Sequence, residues 1–414
     1  MTKVDSVGQL HNATLGRLEV ARILFNNHWV SHAEQQCQAA IRLYPEAAQQ
    51  ARELISEIEE RRNDPSTLDL SQENSPIAVC KNSGSIISTL HFRSQHNDHL
   101  KHEAFRQGVT YIDVETSSQC NRRCSYCPNA YNDRLSSNKF MSDDVFIKVI
   151  NNLRIINYEH ELHFVGFNEP LMHRENILRR ATLTRTMLPR AKIIVFTNGD
   201  YLDKTYIEQM ISSGVNKLIV SVHLAQNKAY SDSAIFERIN RLAQELGMNI
   251  IPIAYKADAY INVKIAHEGI DITVRHTDYA AYGSNRASTL DNVGAQVDER
   301  TAACLLPIHQ FVVGHTGDVV PCCTMVSDDP RNASNLVGSI NDHSSIFDVY
   351  CGRTMVNWRR GLFNYGPKLP PCDKCNYLGN PPFENASELF APWEQFISPT
   401  LVDPAVLYHT CSAG

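Results

Sequence analysis

Three cysteines stand close together in Cys120-Asn-Arg-Arg-Cys124-Ser-Tyr-Cys127. Thiolates at this spacing can wrap one face of a small iron–sulfur cluster. A four-iron cluster ordinarily takes four cysteines. This loop supplies three, so one iron stays open, which is what catalysis needs. A zinc site or coincidence is the alternative, but zinc sites favour paired two-residue spacings and no fourth ligand lies near. A second set comprises Cys304, Cys322 and Cys372-Asp-Lys-Cys375. Between its first members, Phe311–Val320 reads as a β-hairpin with Gly317 in its turn, which brings Cys304 and Cys322 together. Four protein thiolates make a closed site, and their spacing alone leaves iron–sulfur and zinc both open. Of the other cysteines, Cys37 reads as core, Cys80 as incidental and Cys411 as near a terminus. Cys323 follows a ligand of the second site, so its thiol should point away from that site and toward the first. Cys351 opens a helix over Gly352–Leu362, and a helix N-terminus favours thiolate.

The first loop resembles the signature of the radical S-adenosylmethionine (SAM) superfamily, with Tyr126 as the aromatic residue before its third cysteine. The resemblance implies that Cys120, Cys124 and Cys127 hold a catalytic [4Fe–4S] cluster. Its open iron would chelate S-adenosylmethionine, and one electron would then release a 5′-deoxyadenosyl radical. Gly166-Phe-Asn168-Glu169-Pro170 stands where the family has a Gly-Gly-Glu-Pro-like segment, with Phe167-Asn168 replacing the second glycine. There the backbone and Glu169 would accept hydrogen bonds from the cofactor's amino group. Asn198, in Thr197-Asn198-Gly199, and Ser221, a ribose contact by the same resemblance, end later strands beside His223. The second thiol set is similar to the auxiliary-cluster extension of many family members, in its shortened "twitch" form. It implies one auxiliary [4Fe–4S] cluster held by Cys304, Cys322, Cys372 and Cys375, because the longer SPASM form needs more cysteines after Cys375.

The elements that must position these residues are an alternation of strands and helices from Val109 onward. Strands are expected at Tyr111–Glu115, His163–Gly166, Lys192–Phe196, Lys217–Val222, Asn249–Ala254 and Asp271–Arg275. Helices are expected at Ser142–Ile156, Asn176–Leu188, Lys204–Ser213 and Ser233–Leu246. Such alternation implies an α/β fold with a parallel sheet, curled into a partial (β/α) barrel. Its ligands should gather at the C-terminal ends of the strands. The expected organisation is a helical region over 1–63, a linker over 64–102, a radical SAM core over 103–285 and an auxiliary-cluster domain with a tail over 286–414. In the first region Ala21, Ala33, Ala40 and Pro45 fall at the small-residue and closing-proline offsets of a tetratricopeptide (TPR) repeat. Val20, Leu24 and Cys37 take its larger packing positions. That region would be a docked cap or a peptide-binding arm.

The chain has 414 residues, 43% of them hydrophobic and 20% charged, with a net charge of −6. The composition is that of a globular protein, and the charge argues against nucleic acid as a partner. No apolar run approaches a membrane span and the first residues lack a signal sequence, so a cytoplasmic chain without membrane contact is expected. Twelve clustered cysteines then read as ligands rather than disulfides. A spare thiol facing the radical site suggests epimerisation, in which one group removes hydrogen from one face of a carbon and a thiol returns it to the other. The layout is similar to the proteusin-type epimerases of ribosomal peptides. That implies a precursor-peptide substrate converted from L- to D-residues, Cys323 or Cys351 as hydrogen donor, and an external electron donor such as flavodoxin or ferredoxin. The alternatives are a sugar or aminocyclitol epimerase or dehydrogenase, a peptide-crosslinking enzyme, and a scaffold that keeps its clusters structurally.

Overall fold

The structure is a computed structural model. It describes residues 85–377 apart from 226–227, 292, 302 and 364–366, together with 48–63, 76–79 and isolated positions between 18 and 42. The described residues fall into two compact units divided between Phe92 and Arg93.

In the first unit, helix α1 (Ala48–Asn63) buries Ala51, Leu54 and Ile58 against Ala21, Cys37 and Ala40. Small residues let these segments approach closely. Ala33, Pro45, Val20 and Leu24 lie outside the described residues, so the repeat itself remains an expectation. Strands β1 (Pro76–Val79) and β2 (Ile86–Ser88) pair antiparallel, and a 3-10 turn at Thr89–Phe92 follows. The expected linker is therefore structured over its second half. Its polar composition hid Ile87, Leu90 and Phe92, all buried.

The second unit opens with α2 (Asp98–Gly108), whose N-terminal amides at His99 and Leu100 are capped by Asn97. This helix starts inside the stretch expected to be linker. A single sheet then runs through the unit. Its strands are β3 (Tyr111–Val114), β4 (Glu161–Phe164), β5 (Lys192–Thr197), β6 (Lys217–Ser221), β7 (Ile250–Lys256), β8 (Tyr260–Ile265), β9 (Asp271–Thr277), β10 (Gln310–Val313), β11 (Asp318–Val320) and β12 (Gly338–Ser339). Their order is β12-β11-β10-β3-β4-β5-β6-β9-β8-β7. The run from β10 to β9 is parallel and both margins are antiparallel. The sheet is open, as a partial barrel requires.

Helices α3 (Asp143–Ile155), α4 (Arg174–Met187), α5 (Lys204–Ser212) and α6 (Asp232–Leu246) supply the crossovers. Ser142 caps α3, with Asp143 and Asp144 in its first turn favouring the positive end of the helix. Gly247 ends α6 at φ 63°, a left-handed cap that suits glycine. Ile112 and Val114 are fully buried, and alternate residues Tyr111, Asp113 and Glu115 face the other side of the sheet.

One strand departs from expectation and one hairpin matches it. Strand β7 is not a parallel member but half of a hairpin with β8, turned at Asp258 with φ 54°. The hairpin expected between Cys304 and Cys322 forms as β10–β11, with Gly317 at φ 89°. Its first strand also pairs in parallel with β3, placing Val312 opposite Asp113.

Candidate active site

Strand β3 delivers the chain to the three-cysteine loop. Cys120 is buried, while Cys124 and Cys127 are half-buried, and all three are free thiols. The Cys120 amide donates to the Arg134 carbonyl at 3.0 Å, closing the loop at its base. Arg122 grips Asp200 through two hydrogen bonds of 2.6 Å, and Asn198 donates its side-chain amide to Asn121 at 2.7 Å. These contacts tie the loop to the turn after β5. Burial pushes the Cys120 thiol up to about 12, so a metal centre binding there must displace its proton.

The cofactor-side residues gather at the ends of β4, β5 and β6. A Cβ on Gly166 would come within 2.5 Å of Glu115 Cγ, so this position accepts only glycine. Asn129, next to the third cysteine, donates to the Phe167 carbonyl at 2.9 Å. Asn168 donates to Ser117 Oγ at 3.1 Å, and its own Oδ1 is buried without a partner. Pro170 starts a short buried turn.

Glu169 is anchored within the protein. Its carboxylate accepts from Thr197 Oγ1 at 2.6 Å, the Asn198 amide at 2.6 Å and the Leu171 amide at 3.0 Å. Burial raises it to about 7 against those three donors. Its side chain holds the β5 turn, and a carboxylate with three donors keeps acceptor capacity for a further one. Asn198 is likewise engaged, accepting from the Asp200 amide at 3.0 Å.

Ser221 ends β6 half-buried, in register with Arg275 of β9. Tyr126 shares a 2.8 Å hydrogen bond with His223 Nδ1 and stacks on Tyr279 with centroids 4.4 Å apart. Burial holds His223 down at about 3 and pushes Tyr126 upward. The imidazole is therefore neutral, and either partner can donate across this bond.

The second thiol set converges. Cys304, Cys322, Cys372 and Cys375 line one cavity with Arg300, Leu306 and Met325. Among the described residues, no three His, Cys, Asp or Glu side chains are drawn together as a single metal ion would need.

The two spare thiols separate. Cys323 is half-buried and sits over the inner face of the sheet. Burial, then the charge of Asp113, pushes it up to about 11. Cys351 is buried under α2, its thiol facing the Lys101 carbonyl at 3.8 Å. Burial raises it to about 12, the opposite of the lowering expected from a helix N-terminus. The helix Arg353–Phe363 begins two residues later, and the groups that act on Cys351 (Arg359, Lys101 and Asp348) belong to neither thiol set. Cys80 and Cys411 lie outside the described residues.

Between the thiol sets the inner face is polar. The Cys323 amide donates to Gln310 Oε1 at 3.0 Å, and Gln310 Nε2 donates to Asp113 Oδ2 at 2.6 Å. Asp113 Oδ1 meets His163 Nδ1 at 2.9 Å, and His163 Nε2 meets Glu161 at 3.0 Å. Burial would strip the His163 proton, but Asp113 and Glu161 overrule it and raise the imidazole to about 9. At the end of β3, Glu115 is buried. Arg134, a His315 hydrogen bond and the Phe167 amide pull it down to about 2 against that burial. Arg286 stands on three consecutive left-handed residues, Arg286, Ala287 and Ser288, with φ of 51°, 52° and 63°. Its guanidinium lies over the Phe167 ring at 5.4 Å, and its buried Nε has no partner.

A family model described as the radical SAM superfamily matches residues 114–250, and one described as an iron–sulfur cluster-binding domain matches 304–376. The chain carries a radical SAM domain followed by a cluster-binding domain. A catalytic and an auxiliary [4Fe–4S] cluster and S-adenosylmethionine go with these two domains. The buried, unpartnered Asn168 Oδ1 and Arg286 Nε beside the three-cysteine loop suit a polar cofactor there.

One similar protein is the S-adenosyl-L-methionine-dependent 2-deoxy-scyllo-inosamine dehydrogenase of Niallia circulans. It is 25% identical over 266 residues, which are 64% of this chain and 92% of the relative. Among solved structures, BtrN in complex with AdoMet and 2-DOIA is 24% identical with a TM-score of 0.46, over 62% of this chain and 87% of that one. SuiB of Streptococcus suis bound to S-adenosylmethionine is 8% identical with a TM-score of 0.26, over 63% of this chain and 71% of that one. No helix of this radical SAM chain, among the described residues, is long and apolar enough to cross a membrane.

Sequence reasoning found the thiols and the turns but missed Asp113, His163, Gln310, Arg286 and Arg300. Asp113 and His163 carried a usable signal, being ionisable residues at the inward positions of apolar strands. Arg286 carried none, since Arg-Ala-Ser does not advertise a left-handed turn.

Proposed function

We propose that this chain is a radical dehydrogenase of a small hydroxylated ring, of the aminocyclitol or sugar class. Cys120, Cys124 and Cys127 would hold the catalytic cluster, and Cys304, Cys322, Cys372 and Cys375 the auxiliary one. The observation that carries the reading is the relative from Niallia circulans, matched over 92% of its length and named as acting on 2-deoxy-scyllo-inosamine. The polar inner face supports it. A ring bearing hydroxyl and amino groups needs fixed hydrogen-bonding partners, and Asp113, His163 and Gln310 form a held chain of them on that face.

The catalytic cluster and its cofactor, when bound, supply a group that removes one hydrogen atom from a ring carbon. The remaining steps are a proton and a second electron leaving the carbinol, so that C–OH becomes C=O. In this reading the auxiliary cluster takes that electron, and the pairing of β10, which precedes Cys322, with β3, which leads into the three-cysteine loop, supports it. The proton would pass to the carboxylate of Asp113, which His163 and Gln310 hold in place.

A second reading rests on Cys323. Its thiol is protonated, half-buried and close to Asp113, which suits return of hydrogen to a carbon and hence epimerisation of a peptide or ring. Reconstituted enzyme would be incubated anaerobically in deuterated water with reductant, S-adenosylmethionine and 2-deoxy-scyllo-inosamine or related rings. A product lighter by two mass units, one per 5′-deoxyadenosine, is expected. A product heavier by one unit, lost in Cys323→Ala, would replace dehydrogenation with epimerisation.

A further inference from the structure

Arg300 is a cation in the wall of the second thiol cavity. It is 4% exposed and lines that cavity with Cys304, Cys322, Cys372 and Cys375. Three of its groups are spoken for. Nη1 donates to the carbonyls of Tyr377 and, at 3.4 Å, Cys375; Nη2 donates to the Ala303 carbonyl at 3.4 Å; and its backbone amide donates to the Asp373 carbonyl at 2.5 Å. These bonds clamp the guanidinium between the Cys304 segment and the Cys372–Cys375 turn. Its Nε is left over, buried and without a partner. A buried donor left without a partner is destabilising, and here it sits on a permanently charged group. Among the described residues, the side-chain partners of Arg300 are backbone carbonyls and none is a carboxylate.

We infer that Arg300 is a positioning and tuning residue for the auxiliary cluster: its Nε–H donates to a sulfur of the bound centre, and its charge favours the reduced state. This rests on the four-thiol assignment above. The potential of such a cluster is set by its net charge, hydrogen bonds to its sulfurs and solvent exposure. A cluster with four thiolates gains a further negative charge on reduction, and a fixed buried cation offsets it. A buried unit charge acts on a neighbouring charged centre far more strongly than it would in water, because the effective dielectric of protein sites is lower. The auxiliary centre is then easier to reduce, as an acceptor of the second electron must be.

The test uses the full chain with Cys120, Cys124 and Cys127 all changed to Ala, so that only the auxiliary centre loads, and a redox titration followed by EPR. Arg300→Gln removes the charge. Its ratio of reduced to oxidised cluster at a fixed potential is expected to fall roughly tenfold or more, with Arg300→Lys falling between it and the parent. Equal midpoints in parent and Arg300→Gln, at equal iron content, would overturn the inference. Should Arg300→Gln fail to hold iron, the parent labelled with ¹⁵N-arginine decides. Pulsed EPR of its reduced cluster should show a ¹⁵N coupling that Arg300→Lys lacks, and no coupling would overturn the proposal. A parent triple variant that binds no iron would instead sink the four-thiol assignment.

Discussion

Glu115 accepts from Arg134 at 3.2 Å, from His315 at 2.9 Å and from the Phe167 amide at 2.9 Å, all where solvent is excluded. Glu115→Gln keeps the shape and removes the charge, leaving buried Arg134 with Asp328 as its remaining ion-pair partner. Breaking a buried pair from one side costs about 3 kcal/mol or more. The variant should melt at a clearly lower temperature in differential scanning calorimetry, and an unchanged melt would show the pair to be dispensable. His163 makes a different prediction because it titrates. Its folded value of about 9 lies above the ordinary 6.5. The stability it contributes is therefore complete below pH 6.5 and is lost as pH rises through 9. A shift of this size corresponds to something on the order of 3 kcal/mol. The melting difference between wild type and His163→Gln should be largest near pH 6 and shrink by pH 9.5. Parallel curves would mean that the imidazole is not held charged.

At the scale of elements, the β3–β10 pairing decides how independent the two domains are. Strand β10 bonds to β3 along its whole length, from Gln310 opposite Tyr111 to Val313 opposite Val114. A chain ending before β10 would expose the edge of β3, which is apolar on its helix-facing side, and unpaired apolar edges aggregate. Expressed alone, residues 93–301 should be insoluble or aggregated by size-exclusion chromatography; a soluble monomer would show that β10 is an accessory to the core. This pairing was invisible in the sequence, because Phe311-Val-Val announces a strand but not its parallel neighbour two hundred residues earlier. The central strands were legible because parallel strands buried on both faces read as short apolar runs, as in Ile193–Val195. The helices were legible from caps such as Ser142. The β7–β8 hairpin was misread because Ile250-Ile-Pro-Ile looks like one more buried strand, whereas Ile251 and Ile253 are about half exposed. The thiols were legible for a different reason: metal ligation depends on residue type and local spacing, both of which sequence displays directly. The charged inner face was not, since Asp113, His163 and Gln310 meet only after three strands align.

Across the whole second unit, the two thiol-bearing loops are fastened by contacts that begin just after each cysteine set. Asn132 donates to Asp329 at 3.2 Å, Arg134 pairs with Asp328, and the Arg331 guanidinium lies 3.5 Å from the Tyr131 ring centroid. Tyr131 also donates to Thr289 at 3.1 Å, next to the left-handed turn that carries Arg286. One side of this clasp is the exit of the Cys120–Cys127 loop. The other is the segment following Cys322 and Cys323. Hydrogen abstraction would take place on the first side, while the second electron, or the returned hydrogen, belongs to the second. Small misplacements between reacting groups are costly, an ångström being worth as much as about a hundredfold in rate. Loosening the clasp should therefore spare the first event and damage the second. In Arg331→Ala, which removes a cation–π contact worth about 1–2 kcal/mol, cleavage of S-adenosylmethionine should stay within about twofold of wild type by the rate of 5′-deoxyadenosine release. Product formed per 5′-deoxyadenosine should fall several-fold, because radicals generated on one side would be quenched before the other is in place. Chromatography of both species from one reaction measures the ratio. A ratio equal to wild type would mean that the shared β3–β10 strand pair alone sets the spacing of the two loops.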